Sequence, residues 1–156
     1  MNKELYDFLI EAKKQTYANE NIKKADSSRK GSNDYHYENN GMIYHDTYFG
    51  GTQFMGEEVV YLTDETPIWG MNYYGVTIDE SISEDAMDKV LRPALMMVGE
   101  DNKVIPVRGP SYFKNEDYEY KFSVSGDLDN FEGIETIYKA NIKIYELKCH
   151  GGKIKR

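Results

Sequence analysis

The chain has 156 residues, with 27 acidic side chains against 19 basic ones and a net charge of −8. That length suits one core of ordinary size, and the acidic balance opposes docking on bulk nucleic acid or on an anionic membrane. Cys149 is the sole cysteine, so an intramolecular disulfide is impossible. The opening Met1-Asn2-Lys3-Glu4 lacks the apolar core of a leader, and with the lone cysteine this predicts a reducing, cytoplasmic setting.

In chain order, the first expected element is an amphipathic helix over residues 2–17. Asn2 is its cap, and Leu5, Phe8, Leu9 and Ala12 form one face. Lys13 and Lys14 stand near its C-terminal end, where the helix dipole favours positive charge. Residues 20–34 are polar and read as a loop. Residues 35–38 and 42–49 flank Asn39-Asn40-Gly41, a hairpin signal because Asn and Gly tolerate positive φ. A second hairpin is expected from 57–62 and 68–74. The run Val59-Val60-Tyr61-Leu62 suggests a strand covered on both faces.

Residues 81–98 carry helical spacing, with Met87, Leu91 and Leu95 toward the core, Ser81 and Glu84 as a capping box, and a kink at Pro93. Residues 118–125 alternate as a half-exposed strand. A last hairpin joins 134–138 to 142–150, and 153–156 form a short tail. No internal repeat or linker stands out. The reading is one domain over 1–156 of α+β class: a curved antiparallel sheet of about 6–7 strands with two helices packed against it.

Motifs for nucleotide, phosphate or zinc chemistry are absent, and no cofactor or metal is expected. The informative pattern is polar groups set among aromatics and glycines. Aromatics make up 13% of the chain, and a concave aromatic pocket with few polar groups is what a small-molecule site requires. The candidate ligand-binding residues are Arg29, Asp46, Glu57, Glu58, Trp69, Asn72, Tyr74, Arg108 and His150. Arg29 and Arg108 are two of only four arginines. Each suits either an anionic ligand or a carboxylate brace, and the brace partners considered for Arg108 are Glu57, Glu58 and Asp46.

Several segments together resemble a known family. They include Ser27-Ser28-Arg29, Tyr48-Phe49-Gly50-Gly51, Gly56-Glu57-Glu58-Val59-Val60, Pro67-Ile68-Trp69-Gly70-Met71-Asn72-Tyr73-Tyr74-Gly75, Arg108-Gly109-Pro110 and His150-Gly151-Gly152. The sequence is similar to the bacterial domain of unknown function 5680. That family occurs alone or behind a helix-turn-helix segment of the XRE type. The resemblance implies an effector-sensing module, with no catalytic residues to carry over and no reading helix here for DNA.

The expected function is therefore small-molecule sensing or ligand binding, with a small anionic or polar ligand. One alternative is a small acid–base enzyme using Asp46, Glu57 or Glu58, and His150. The other is a protein–protein interaction module with tyrosine anchors. Neither nucleic acid nor membrane is an expected partner, and a homo-oligomer is open.

Overall fold

A computed structural model describes residues 3–156. The proposed cap Asn2 lies outside the described residues. Helix α1 (Lys3–Lys14) buries Leu5, Phe8, Leu9, Ala12 and also Lys13. Strands β1 (Asn33–Asn39), β2 (Met42–Gly50), β3 (Gln53–Leu62) and β4 (Pro67–Thr77) follow as an antiparallel meander. A second helical segment spans Glu80 to Met96, and β5 (Tyr112–Asn115), β6 (Tyr118–Asp127), β7 (Asn130–Lys139) and β8 (Ile142–Lys153) form another meander. The eight strands make one open antiparallel sheet in the order β1-β2-β3-β4-β8-β7-β6-β5. The α+β class holds, and the strand count rises to eight because the four-residue edge strand β5 is too short to show an alternation of its own.

Turn chemistry sets the register. Asn40 and Gly41 both adopt positive φ between β1 and β2, and Ala140 and Asn141 do so between β7 and β8. β3 departs from expectation. Val60 is fully buried, while Val59 and Tyr61 are half-buried and Leu62 is exposed. The strand is therefore covered on one face only, because both helical segments lie on the same side of the sheet.

The second helical segment shows how Pro93 is accommodated. Asp79, rather than Ser81, caps the opening turn Glu80–Ile82 by accepting from the Ser81 N–H. A short α-turn, α2 (Ser83–Ala86), leads into a widened π-type turn over Met87–Leu91. The chain then resumes as α3 (Arg92–Met96). Proline has no N–H for the carbonyl four residues back, and that carbonyl, on Lys89, instead accepts from Asn115 Nδ2 at 2.9 Å. The widened turn absorbs the missing bond. Val90, Leu91, Ala94 and Leu95 are buried. Met87, expected in the core, is 37% exposed and stands at a cleft mouth instead.

The two halves of the chain match, a repeat not evident in the sequence. Each is a helical segment followed by a four-stranded meander, and β4 and β8 join the halves antiparallel with Tyr73 opposite Cys149. Tyr44 opposes Val60 as Tyr120 opposes Ile137. Gly50 opposes Phe54 as Gly126 opposes Phe131. Glu58 opposes Met71 as Glu135 opposes Leu147. In the shared pairing, Gly75 faces Leu147 and Met71 faces Gly151, as a pseudo-twofold requires. Helix α1 touches β1 and β2, and the widened turn touches β5 and β6.

Among the described residues, no helix is long and apolar enough to cross a membrane. Leu91 is 5% exposed at the centre of the second helical segment, so Leu91→Ala is expected to cost about 2–5 kcal/mol. Met87→Ala, at the cleft mouth, is expected to cost under about 1 kcal/mol, and urea denaturation of the two variants checks the packing.

Candidate functional site

Alternation along β2, β3 and β4 points Asp46, Glu58 and Tyr73 to the helix side of the sheet. Asp46 and Glu58 are directly opposed across β2 and β3, and both are buried. Lys13, on the last turn of α1, forms an ion pair with Glu58 Oε2, and both members are dry. Its ammonium also lies 5.4 Å from the Tyr17 ring centroid and 5.8 Å from that of Tyr44. Tyr73 Oη donates to Asp46 Oδ1 at 2.6 Å. Gly56 makes this possible, since a Cβ there would collide with the Tyr73 ring and with the Thr47 carbonyl.

Beside this cluster lies a second one. Arg108 donates from Nε to Glu135 Oε2 at 2.9 Å and from Nη2 to Oε1 at 2.6 Å. Tyr120 Oη and Tyr145 Oη donate to the same carboxylate at 2.5 and 2.9 Å. Tyr120 also accepts from the Gly109 N–H at 3.0 Å, and this ties the arginine's turn to the sheet. Four donors satisfy Glu135, so the bidentate pair is a brace. The partner of Arg108 is thus Glu135 rather than Glu57, Glu58 or Asp46. In β7 the acid occupies the inward phase between Gly133 and Ile137, and a charged residue in the apolar phase was the signal that could have found it.

Glu58 is less well served. Its Oε1 and the Tyr44 hydroxyl are buried without a hydrogen-bond partner among the described residues. Both are groups that protein interiors ordinarily satisfy. Burial, and then the neighbouring charge of Glu58, push the Asp46 carboxyl up to about 8 against opposition from Tyr73, Lys13 and Arg108. Burial likewise raises the hydroxyls of Tyr17, Tyr44 and Tyr73 well above their ordinary value.

Asp46 and Glu58 floor a cavity of about 280 Å³ walled by Tyr17, Tyr35, Tyr48, Phe54, Tyr73 and Tyr145. Leu91 and Leu95 form its helical side, and Gly50-Gly51, Met87 and Arg92 stand at its rim. A cleft of about 470 Å³, lined by Thr52, Thr77 and Ser83, shares Gly51, Phe54, Met87, Leu91, Arg92 and Tyr145 with it. The two hollows therefore adjoin.

Of the nine candidate residues, Asp46, Glu58 and Arg108 converge at this cavity. Trp69 is core, stacked on Phe131 at 5.9 Å with its indole N–H donating to the Leu128 carbonyl. Glu57, Asn72 and His150 are aligned across β3, β4 and β8 on the outer face, where Tyr74 is also exposed. Arg29 lies in the 20–34 loop, 5.5 Å from the Phe49 ring. Sequence reasoning missed Lys13, Tyr17, Tyr73 and Glu135.

A separate cluster holds that loop. Asp34 accepts from Ser28, Ser32 and Thr47 hydroxyls and pairs with His45 at 2.6 Å. Burial opposes its charge, yet these bonds outweigh it and hold the Asp34 carboxyl far below the usual range. Ser28 and His45 both address the aspartate and not each other, so the cluster braces the loop and activates no nucleophile. Among the described residues, no group of three or more His, Cys, Asp or Glu could hold a metal ion.

Removing the brace should expose its role. Arg108→Ala strands a buried carboxylate and is expected to cost about 3–5 kcal/mol in chemical denaturation. An unchanged midpoint would assign the guanidinium to ligand instead.

The Asp46 carboxyl gives a pH signature. It keeps its proton in the fold from the ordinary 3.8 up to about 8, so the folded state binds more protons than the unfolded state across that window. Its contribution to stability is full below about pH 4 and is lost as pH rises through 8. Asp46→Asn should flatten this slope, so that its stability relative to wild type climbs between pH 6 and 9. Melting curves of the two proteins check it.

No curated protein and no solved structure matches the chain. A family model described as a domain of unknown function matches residues 46–154, beginning at Asp46 itself and spanning most of the sheet. The chain belongs to the DUF5680 family.

Proposed function

We propose that the chain is a small-molecule-binding module whose ligand enters the aromatic cavity between the second helical segment and the sheet and is held at its floor by Asp46 and Glu58. The observation that carries the proposal is a buried, incompletely satisfied polar cluster beneath an aromatic wall. Apolar rings supply contact area at low entropic cost, and a few fixed polar atoms supply orientation. A core built for stability alone would satisfy Glu58 and Tyr44, as the other half of the chain does for Glu135 and Tyr120. The adjoining cleft gives the ligand room to extend toward Thr52 and Ser83.

The Asp46–Glu58 pair also supports a second reading, acid–base catalysis. Two carboxyls in unlike surroundings, one of them raised to about 8, are the usual acid and base. Such a reaction would run on these two groups, since His150 belongs to the outer face. Analysis of the released ligand separates the readings, because binding returns it unchanged and catalysis does not.

The test uses the chain's own second half as a template. Phe122 is the counterpart of Asp46, Cys149 is that of Tyr73, and the Phe122 ring covers Gly133 as Tyr73 covers Gly56. The double variant Asp46→Phe/Tyr73→Cys should fill the cavity and keep the sheet. In a thermal-shift screen of metabolites, a true ligand at a hundred times its Kd stabilises wild type by roughly 2.7 kcal/mol and leaves the filled variant unmoved. Equal shifts in both proteins would place binding elsewhere.

A further inference from the structure

The matched halves supply an internal reference for what the cavity lacks. Glu135 receives four hydrogen bonds, two from Arg108 and one each from Tyr120 and Tyr145. Glu58 holds the equivalent place and, among the described residues, receives Lys13 alone. Its Oε1 has no partner among the described residues, and neither has Tyr44 Oη, the counterpart of the tyrosine that bonds Glu135. Tyr145 corresponds to Trp69, whose single donor is turned away to the Leu128 carbonyl. The first half therefore has fewer donors. It also has one more acid, because Asp46 stands where the second half has Phe122.

The charges tell the same story. Three buried carboxyls, Asp46, Glu58 and Glu135, face two buried cations, and each cation is committed, Lys13 to Glu58 and Arg108 to Glu135. Arg92 at the rim is engaged with Asp88 at 2.9 Å. Among the described residues the cavity thus has no uncommitted buried cation for an anionic ligand, and it has acceptor capacity to spare. Its wall of tyrosine and phenylalanine faces attracts positive charge.

We propose that the cavity's ligand is an organic cation with N–H donors, a primary amine or amidine on a flat apolar body, whose charged head lies between Asp46 and Glu58. This rests on the ligand-binding reading above and narrows the ligand class from the anionic or polar one expected from sequence. Each N–H supplies a donor the cluster lacks, and the flat body stacks among Tyr35, Tyr48, Phe54 and Tyr73.

Binding is then coupled to a proton. The Asp46 carboxyl gives up its proton to solvent as the cation arrives, leaving a carboxylate against an ammonium or amidinium. The groups that set this balance come from every neighbouring element. Glu58 on β3, the buried hydroxyls of Tyr44 and Tyr17 and the half-buried one of Tyr35 surround Asp46, and Tyr73 on β4 donates to it. Lys13 on α1 and Arg108 before β5 favour its charged form. The tyrosines are all held above their ordinary value, out of the window in which Asp46 titrates.

The experiment is isothermal titration of the full chain with four probes that share one ring and differ in the head: benzylamine, benzamidine, benzyl alcohol and benzoate. Each is run at pH 6.5 and 8.5 on wild type, Asp46→Asn, Glu58→Gln and the filled Asp46→Phe/Tyr73→Cys variant. The expected result is binding of the two cations, roughly tenfold tighter at the higher pH, with protons released to buffer. The pH dependence should vanish in Asp46→Asn, and binding should vanish in the filled variant. Glu58→Gln should weaken binding, a check independent of whether Asp46→Asn folds. Benzoate or benzyl alcohol binding in preference to the cations, and lost in the filled variant, would overturn the cation and leave the binding module standing. Cation binding that survives in the filled variant, or no binding by any probe, would overturn the cation proposal, and the metabolite screen would then judge the module separately.

Discussion

Burying a carboxylate at the same place in each half of the sheet obliges the chain to bring a cation to each. Glu58 and Glu135 are almost wholly dry, and an unpaired charge in such a place is far too costly to keep. The two solutions differ and determine what packs where. Lys13 comes from the end of α1, so the first helix must lie with its last turn over β3. Arg108 comes from the turn before β5, so the chain leaving α3 must cross the inner face before entering its edge strand. Tyr17 lies between the two and stacks against both cations at 5.4 Å. The helices are thus fixed in place by charge as well as by the apolar stripe of α1 and the Leu91 side of the second segment.

The likeness of the halves makes their divergence informative. Tyr44 and Tyr120, Gly56 and Gly133, Glu58 and Glu135 hold matched positions, which preserves the inward row of each meander. What changes lies in contact with that row. The second half offers an arginine fork and two tyrosine hydroxyls, and its carboxylate is satisfied. The first half offers a lysine, a tryptophan whose donor is aimed elsewhere, and an added acid. The second meander therefore closes into a braced core, and the first stays polar and open enough to keep a cavity. Cys149, at the centre of the shared pairing, belongs to the closed side, where burial pushes its thiol up to about 12 and disfavours the thiolate.

Much of the fold was legible in the sequence because period-two alternation and turn residues act locally. The hairpins around Asn39-Asn40-Gly41 and Lys139–Asn141 and the apolar stripe through Leu91 and Leu95 were all set by neighbours in sequence. The repeat was not, because its matched residues are sparse and the turn after Gly126 is one residue longer than that after Gly50. Alternating strands resemble one another whether or not they are copies. Site residues divided along the same line. Asp46, Glu58 and Arg108 stood out as polar groups among aromatics and glycines. Glu57, Asn72, Tyr74 and His150 shared that signature but fell on the opposite phase of their strands, which a one-residue shift decides. Lys13 was hidden by an ordinary explanation, since a lysine in a last helical turn already satisfies the dipole.

Glycine sets where two of the cavity's rings lie. A strand residue with a side chain at position 56 would occupy the space where the Tyr73 ring lies, and the hydroxyl could not reach Asp46. Without that bond the aspartate would face the burial and the Glu58 charge with one fewer compensating contact. Gly75 does the same for Phe54, whose ring crosses the place a Cβ would take and forms the opposite wall against Tyr145 at 6.5 Å. Two missing side chains on the sheet thus let two rings lie flat instead of standing in the cavity. The sequence signature of such a flattened ring is a glycine in the inward phase of a strand beside an aromatic neighbour. It marks where a ring has room to fold down, and it does so in both halves, since Phe122 lies over Gly133 as Tyr73 lies over Gly56; the half that keeps a cavity is the one whose inward row carries Asp46 and an incompletely satisfied Glu58.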